Sequence, residues 1–268
     1  MKFDSRVIND IEYVLPKTQK VPDAIVTLLR DKKKLMNTEL LRYILSGRMS
    51  KKGYIVEVGC NIGSTALWMA DYQSRDNKII AIDGSEHSIT CLKESIRRNN
   101  FTNIDAIHAV VSHSNFQCGF YKPPHERSTI TRPVSFFKRP FYRQVGRYLT
   151  KTLDEIIGDR TCSIIIISVE GHETGVLTGA VDTIERDQPP LIVAYNSDYP
   201  QLMGRAIDTL YELSYEAFMF VPFHGNVGSQ TLTLQPIIAP CQNCGKGYLL
   251  CFPQDHKKHG FTVLGESK

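Results

Sequence analysis

The sequence lacks the features that mark membrane and secreted proteins. No stretch of its 268 residues approaches the ~20 apolar residues of a membrane-spanning helix, and the apolar run from Ile164 to Val169 is only as long as a strand. Residues 1–10 contain no apolar core of a signal peptide. Its seven cysteines are scattered, which is typical of reduced thiols and not of a disulfide framework. We therefore expect a cytoplasmic protein.

The sequence also lacks a strong excess of charge. A formal net charge of +4 is too small to indicate nucleic-acid binding by itself. Hydrophobic residues make up 42% of the chain and charged residues 22%, which is ordinary for a globular protein. The length is sufficient for the core of one enzyme-sized domain with an added lobe.

Residues 54–70 predict a buried strand, a glycine turn and a helix in succession. Such a turn brings backbone N–H groups and a helix N-terminus close to a ligand. The spacing of Gly59 and Gly63 matches neither the dinucleotide pattern Gly-x-Gly-x-x-Gly nor a Walker loop. Glu57, just before this turn, suits a neutral or cationic ligand better than a pyrophosphate. The pattern therefore points to S-adenosylmethionine.

A second predicted strand, residues 78–83, ends in an acid. Asp83 lies twenty residues beyond Gly63, where an acid accepts ribose hydroxyls in nucleoside-binding folds. Alternatively, Asp83 caps the next helix, a task that Gly84 or Ser85 could share. The predicted cofactor residues are Glu57, Gly59, Asn61, Gly63, Asp83 and Gly84.

Two segments flank or interrupt the predicted alternation of strands and helices. Residues 1–50 are predicted to be a basic, helical cap, with helices beginning at Asp23 and spanning Asn37 to Ser46. Residues 112–150 form an insertion, and connections of this length usually carry function. Its stretch 120–151 holds eight Lys and Arg residues, several aromatics and one acid. Such a surface suits phosphates, acidic sugars or stacked bases, so nucleic acid is a possible partner; the alternative is a partly buried flap with solvated cations.

The isoleucine run 164–167 predicts a central parallel strand that is buried on both faces. The polar residues that follow it, from Ser168 to Glu173, should therefore lie beside the bound cofactor. Upstream, residues 152–155 read as a capping box that opens a short helix. The next predicted strand, residues 191–195, delivers Asn196 to the same edge of the sheet.

The C-terminal region contains Cys and His residues that could form a structural zinc site. They are Cys241, Cys244, Cys251, His256 and His259. Their spacing matches no standard zinc finger, and residues 248–252 read as a terminal strand that would turn Cys251 into the core. No metal is assigned on this basis.

Four motifs resemble those of one family: Glu57–Gly63, Thr152–Glu155, Val169–Glu173 and Val176–Ala180. That family is the FkbM family of S-adenosylmethionine-dependent methyltransferases, and the resemblance covers residues 37–253. It implies a class I methyltransferase fold, an α/β Rossmann-like architecture. The sheet is then seven-stranded and mostly parallel, flanked by helices, with an antiparallel last strand. We expect an N-terminal cap (1–50), a methyltransferase domain (51–253) and a tail (254–268).

The chain departs from the family pattern at two places. The family usually has Asp where this chain has Ser168, and often Glu where this chain has Tyr195 and Asn196. The loss of two carboxylates weakens a divalent-metal proposal, because hard cations need several oxygen ligands. It also leaves the identity of the catalytic base open.

The resemblance implies O-methylation of a hydroxyl-bearing acceptor, which we expect to be a sugar, a glycoconjugate or a small molecule. Glu170 is the first candidate for the base that removes the hydroxyl proton and His172 the second, while Ser168 could orient the acceptor. Alternatively, Glu170 and Glu173 only cap the helix that begins near His172. Two other functions stay open: methylation of RNA or another phosphorylated polymer, and a non-catalytic module that binds S-adenosylmethionine.

Overall fold

The structure, a computed structural model, describes residues 3–17, 24–27, 29, 41, 45, 53–72, 78–122, 143–222 and 245–254. Within these residues the strands are β1 (Phe3–Ile8), β2 (Ile11–Pro16), β3 (Tyr54–Val58), β4 (Ile79–Asp83), β5 (Ile104–His108), β6 (Val110–Val111), β7 (Gln117–Lys122), β8 (Arg143–Lys151), β9 (Cys162–Ile167), β10 (Leu191–Asn196), β11 (Tyr215–Pro222) and β12 (Lys246–Pro253). The helices are α1 (Ala24–Thr27), α2 (Ser64–Tyr72), α3 (Glu86–Arg98), α4 (Leu153–Ile157), α5 (Glu173–Thr178), α6 (Val181–Asp187) and α7 (Pro200–Glu212). Among these helices, none is long and apolar enough to cross a membrane.

Seven strands form the central sheet in the order β11-β12-β10-β9-β3-β4-β5. Neighbouring strands from β10 through β9, β3 and β4 to β5 run parallel, whereas β12 pairs antiparallel with both β10 and β11. The strand order reverses direction between β3 and β9, and in open α/β sheets ligands bind at such a switch point. The predicted class I methyltransferase fold, including its antiparallel last strand, is confirmed.

Alternate residues of the central strands enter two separate cores, one on each face of the sheet. On β3, Ile55 packs with α2 and α3, while Val56 and Val58 pack on the opposite face with α4 to α7. Strand β9 divides in the same way, with Ile164 and Ile166 in the first core and Ile165 in the second. Burial on both faces explains why these strands appear in the sequence as continuous apolar runs.

The N-terminal region differs from the predicted helical cap. Strands β1 and β2 form an antiparallel hairpin in which Ile8 pairs with Ile11 across a two-residue turn. Both turn residues have positive φ, 51° at Asn9 and 64° at Asp10, as in the type I′ turns that match the twist of a hairpin. Prediction of a helix was therefore wrong for residues 3–16, because the turn chemistry of Asn9–Asp10 decides the local structure. The division of the chain at residue 50 stays a prediction.

Helix α3 covers the free edge of this hairpin. The Ser95 hydroxyl accepts the N–H of Val14 at 2.9 Å, and the Asn99 side-chain oxygen accepts the N–H of Glu12 at 2.8 Å. Arg98 adds an ion pair to the Glu12 carboxylate at 2.6 Å. These bonds satisfy strand N–H groups that would otherwise be open to another chain. Downstream, α1 and the helical residues Leu41 and Leu45 fall within the two predicted helices, whose other residues lie outside the described part.

Two further predicted elements are divided in the structure. The strand expected from residue 104 to 111 breaks at Ala109, since β6 leaves the central sheet and pairs with β8 in a small sheet of order β6-β8-β7. The helix expected after residue 173 breaks into α5 and α6 at Gly179 and Ala180. The insertion thus begins as the hairpin β7–β8, and residues 123–142 lie outside the described residues. Cys251 is fully buried in β12, as predicted, whereas Cys241, Cys244, His256 and His259 lie outside the described part.

Candidate active site

Packing accounts for both glycines of the turn after β3. Gly59 has a φ of 87°, and a Cβ at this residue would lie 2.1 Å from the backbone oxygen of Ser168. Gly63 has a φ of 80°, and its Cβ would lie 2.2 Å from Cδ1 of Leu92 in α3. The first glycine therefore lets the turn contact the end of β9, and the second lets α3 approach it. The glycine turn after β3 and the residues after β9, which the sequence predicts on two sides of one site, are therefore in contact.

Asp83 joins the glycine turn to the loop after β4. Its Oδ2 accepts the N–H of Asn61 at 2.8 Å, and its Oδ1 accepts the N–H of Ser85 at 2.8 Å. Asn61 has a φ of 52°, the left-handed conformation that Asn tolerates better than most residues. Helix α3 is capped by the hydroxyl of Ser85, which accepts the N–H of Ser88 at 3.2 Å. The Asp83 side chain is therefore not the cap of this helix.

His108, at the end of β5, extends this loop toward the insertion. Its Nε2 lies 3.1 Å from the carbonyl oxygen of Gly84, and its ring makes a T-shaped contact with the ring of Tyr148 in β8 at a centroid distance of 5.5 Å. His108 was not predicted as a site residue. The available signal was its place at the carboxyl end of a parallel strand beside Asp83.

Glu57 is a buried acid beneath the glycine turn, only 4% exposed. Within the described structure its Oε2 has no hydrogen-bond partner. Burial raises the pKa of its carboxyl to about 8, against hydrogen bonds from the Thr65 side chain and the Ala66 backbone, while the charge of Asp83 raises it further. Burial and these two acids also raise the pKa of the adjacent Cys60 thiol. Cys60 is thus a neutral core residue.

The residues after β9 form the opposite side of the site. The N–H of Ser168 donates to the carbonyl oxygen of Val58 at 2.8 Å, which continues the parallel pairing beyond the strands. Glu170 is exposed and has a φ of 47°, and Gly171 follows with a φ of 97°. Both carboxylate oxygens of Glu173 accept the N–H of Gly171, at 3.0 and 2.8 Å. Glu173 therefore stabilises the start of α5, as the capping alternative predicted for it.

The side chain of His172 is less exposed to solvent than that of Glu170. Its Nε2 lies 3.0 Å from the hydroxyl of Ser112, at the start of the insertion. Burial lowers the pKa of His172, and the charge of His113 lowers it further. The imidazole is therefore neutral near pH 7 and able to accept a proton. Neither Ser112 nor His113 was predicted as a site residue, because nothing local to residues 110–113 marks a partner of residue 172.

The rim formed by β10 carries an amide where the family pattern often has a carboxylate. The Asn196 side-chain oxygen accepts the N–H of Asp198 at 3.0 Å, and Tyr195 is buried, 1% exposed. Within the described ranges, no group of three or more His, Cys, Asp or Glu side chains could hold a metal ion.

The capping box before β9, residues 152–155, makes structural hydrogen bonds to two helices. The hydroxyl of Thr152 accepts the N–H of Glu155 at 3.1 Å, which caps α4 as predicted. The carboxylate of Asp154 reaches across to α6, where it accepts the N–H of Thr183 at 2.8 Å and of Asp182 at 3.2 Å. This Thr-Leu-Asp sequence therefore joins two helices behind the sheet and does not enter the site.

The match to a known family extends over most of this architecture. The family model for the methyltransferase FkbM domain matches residues 57–217, more than half of the chain. The chain belongs to the FkbM methyltransferase family. The match begins at Glu57 and includes Asp83 and the residues from Ser168 to Glu173. No curated protein sequence matches the chain.

Several solved structures are similar to this chain at low sequence identity. An FkbM methyltransferase from Methylobacillus flagellatus has a TM-score of 0.45 and 15% identity, over 75% of this chain and 44% of that one. An S-adenosylmethionine-dependent O-methyltransferase from Thermotoga maritima has a TM-score of 0.44 and 9% identity, over 90% and 74%. Fibrillarin from Aeropyrum pernix, solved with S-adenosylmethionine, has a TM-score of 0.44 and 13% identity, over 80% and 74%. This FkbM-family chain spans less than half of the Methylobacillus protein.

Family membership makes this chain a methyltransferase and confirms S-adenosylmethionine as its cofactor. The residues at the switch point between β3 and β9 fit S-adenosylmethionine. Glu57 offers a buried carboxyl oxygen without a protein partner, and Asp83 adds a second acid beside it. Because a nearby positive charge favours the ionised form of a carboxyl, a sulfonium would lower the raised pKa of Glu57, whereas a pyrophosphate would raise it further.

Proposed function

We propose that the chain is an O-methyltransferase that acts on a hydroxyl of a sugar, a glycoconjugate or a small molecule. The observation that carries this proposal is the conformation of Glu170. A left-handed backbone costs a non-glycine residue about 1–2 kcal/mol, and such strain concentrates at functional sites. Glu170 adopts it at the carboxyl end of the central strand β9, with its side chain exposed.

Six residues of the two loops would hold the cofactor in this proposal. They are Glu57, Gly59, Asn61, Gly63, Asp83 and Gly84. Asp83 and Gly84 would bind the ribose, and Glu57 would face the positively charged end of the cofactor. Gly59 and Gly63 let the turn approach both the ligand and its own protein neighbours. S-adenosylmethionine supplies an activated methyl group, so the hard chemistry belongs to the cofactor.

The residues after β9 would act on the acceptor. Glu170 is the first candidate for the base that removes the hydroxyl proton, a role typically worth ~10²–10⁴-fold in rate. Ser168 would orient the acceptor oxygen, since its backbone already contacts the glycine turn. His172 is the second candidate base, because its lowered pKa keeps the ring neutral. Holding the acceptor in line with the methyl group is the largest task left to the protein.

Methylation of RNA or another phosphorylated polymer is the second candidate function. Strand β8 alternates, with Arg147, Leu149 and Lys151 exposed and Thr150 buried, so one face of the insertion presents cations beside an apolar side chain. Binding through such a surface should weaken steeply as salt rises. Binding that does not change with salt would favour the neutral acceptors. The cytoplasmic location predicted from the sequence stays a prediction.

The test of the first proposal is transfer of labelled methyl from S-adenosylmethionine to fractionated glycan, small-molecule, lipid and RNA pools. We expect label in an alkali-stable ether on a hydroxyl of the glycan or small-molecule pool. Glu170→Gln should lose turnover by ~10²-fold or more while still binding cofactor. Glu185→Gln, which removes an exposed acid of α6, is the matched control and should keep full activity. Label in RNA alone, or full turnover by Glu170→Gln, would contradict the proposal.

A further inference from the structure

Three polar side chains form a hydrogen-bonded chain behind the candidate site. Nε2 of His172 lies 3.0 Å from the hydroxyl oxygen of Ser112, which in turn lies 3.3 Å from Nδ1 of His113. Ser112 is fully buried, whereas His113 is exposed, with its ring 5.2 Å from that of Phe116. These hydrogen bonds therefore connect the half-buried imidazole of His172, through the buried hydroxyl of Ser112, to His113 at the surface of the insertion.

The backbone holds Ser112 firmly in this position. Its N–H donates to the carbonyl oxygen of Lys151 in β8 at 2.9 Å, next to the parallel pairing of Val111 with the same residue. On the other side lies Gly179, where a Cβ would come within 2.1 Å of the Ser112 carbonyl oxygen. Ser112 is thus fixed between the insertion and the junction of α5 with α6.

A second glycine fixes the imidazole of His172. A Cβ on Gly175 would lie 2.6 Å from both Cε1 and Nε2 of this ring, closer than real contacts allow. The ring therefore packs closely against Gly175 in the first turn of α5, where His172 is the N-cap residue but makes no side-chain cap bond. Its Nε2 is committed to Ser112 instead. Gly175 and Gly179 together make room for the contact between His172 and Ser112.

The three groups can donate their hydrogen bonds in only one direction at a time. Ser112 has one hydroxyl hydrogen, so it can donate to only one of the two rings, and the other ring must donate to its oxygen. If His172 donates from Nε2, its Nδ1 is free to accept a proton. Once Nδ1 of His172 has taken a proton, its Nε2 proton can pass to Ser112 while the hydroxyl proton of Ser112 moves to Nδ1 of His113. This transfer leaves His172 and Ser112 neutral and places the positive charge on His113.

We propose that Ser112 and His113 are positioning residues of the candidate site, which fix the ring of His172 and conduct a proton between that ring and solvent. This inference rests on the role proposed above for His172. A proton taken from the acceptor hydroxyl at Nδ1 of His172 is matched by release of one proton from His113 to water. Two acids flank His172 in sequence: Glu173 is turned to the N–H of Gly171, and Glu170 is exposed at the rim.

Ring nitrogen NMR of the full chain, labelled with ¹⁵N-histidine, tests the arrangement without any acceptor. In the wild type we expect His172 to show one neutral tautomer and to titrate below its ordinary pKa. Ser112→Ala should leave two exchanging tautomers, and His113→Gln should raise the pKa of His172 because a like charge is removed. Ser114→Ala, at an exposed neighbouring serine, is the control and should change neither property. An unchanged His172 spectrum in both test variants would overturn the inference.

Chemical rescue tests the conduction of the proton, once a methylated acceptor pool is identified. His113→Ala should lower kcat about 10-fold, with an unchanged KM for S-adenosylmethionine, because only the proton path is cut. Added imidazole should restore turnover, which a purely structural role of His113 would not allow. Wild-type kcat in His113→Ala would overturn the inference. A chain that methylates no hydroxyl refutes the proposed function, while the ring spectra still decide the inference.

Discussion

Replacement of Glu57 by Gln should remove most of the pH dependence that this residue gives to folding. Glu57 is 4% exposed beneath the glycine turn, and its Oε2 has no partner within the described structure. Burial, aided by the charge of Asp83, raises the pKa of its carboxyl from 4.5 to about 8. Gln has nearly the same shape and no charge, so the substitution isolates the cost of ionising this buried group.

The sign and size follow from linkage between proton binding and folding. The pKa is higher in the folded state, so between pH 4.5 and about 8 the folded chain keeps a proton that the unfolded chain has released. The stability contributed by the neutral carboxyl is complete below pH 4.5 and is lost as pH rises through about 8. One pKa unit corresponds to about 1.4 kcal/mol, so the loss is about 3 kcal/mol at pH 7 and about 5 kcal/mol above pH 8.

Urea unfolding of both proteins at several pH values between 5 and 9 provides the measurement. Trp68, the one tryptophan of the chain, is buried in α2 directly after the glycine turn and reports on this region by fluorescence. Relative to wild type, Glu57→Gln should become more stable by about 4 kcal/mol as pH rises from 5 to 8. Glu155→Gln, at an exposed acid, should follow the wild-type curve. A stability difference between Glu57→Gln and wild type that stays constant over this range would refute the reasoning.

Three further substitutions test separate parts of the structure. Asp83→Ala should abolish S-adenosylmethionine binding measured by calorimetry, and unchanged affinity would mean that the ribose assignment is wrong. Gly63→Ala should cost about 1–3 kcal/mol more in urea unfolding than Gly158→Ala, because both have positive φ but only the first Cβ would meet a neighbour; equal costs would contradict this packing. Asp154→Ala should lower the free energy of unfolding by about 1 kcal/mol through loss of the α6 cap at Thr183, leaving cofactor affinity unchanged. A loss of affinity there would place Asp154 in the site.

The central sheet could be predicted from the sequence because burial on both faces leaves a strong local signal. Parallel strands such as β9 appear as uninterrupted apolar runs, and the polar residues after them must lie at one edge of the sheet. The position of Gly59 and Asp83 at this edge could be predicted for this reason, and their contacts with Ser168 and Asn61 follow from the topology. Their role in cofactor binding stays a prediction. The local sequence pattern is therefore sufficient to predict such a strand and the residue at which it ends.

The elements that were predicted wrongly depend on turn chemistry or on distant contacts. The hairpin at residues 3–16 could have been recognised from Asn9–Asp10, a turn pair flanked by β-branched and aromatic residues. The break between α5 and α6 lies at Gly179, a residue type that often follows the end of a helix, although the sequence does not say which glycine ends one. At this glycine the carbonyl oxygen of Ser112, far away in the chain, approaches too closely for a Cβ. A contact of this kind is visible only after folding.

The family motifs therefore combine two kinds of residue that sequence alone does not separate. Asp154 caps a helix, and Gly175 and Gly179 make room for the ring of His172 and for Ser112; none of these three needs to touch a substrate. Most residues of the motif after β9 thus serve the placement of its few polar groups. Glu170 differs from these residues, because it combines a left-handed backbone with an exposed acid at the end of β9. This combination is why we propose Glu170 as the first candidate base.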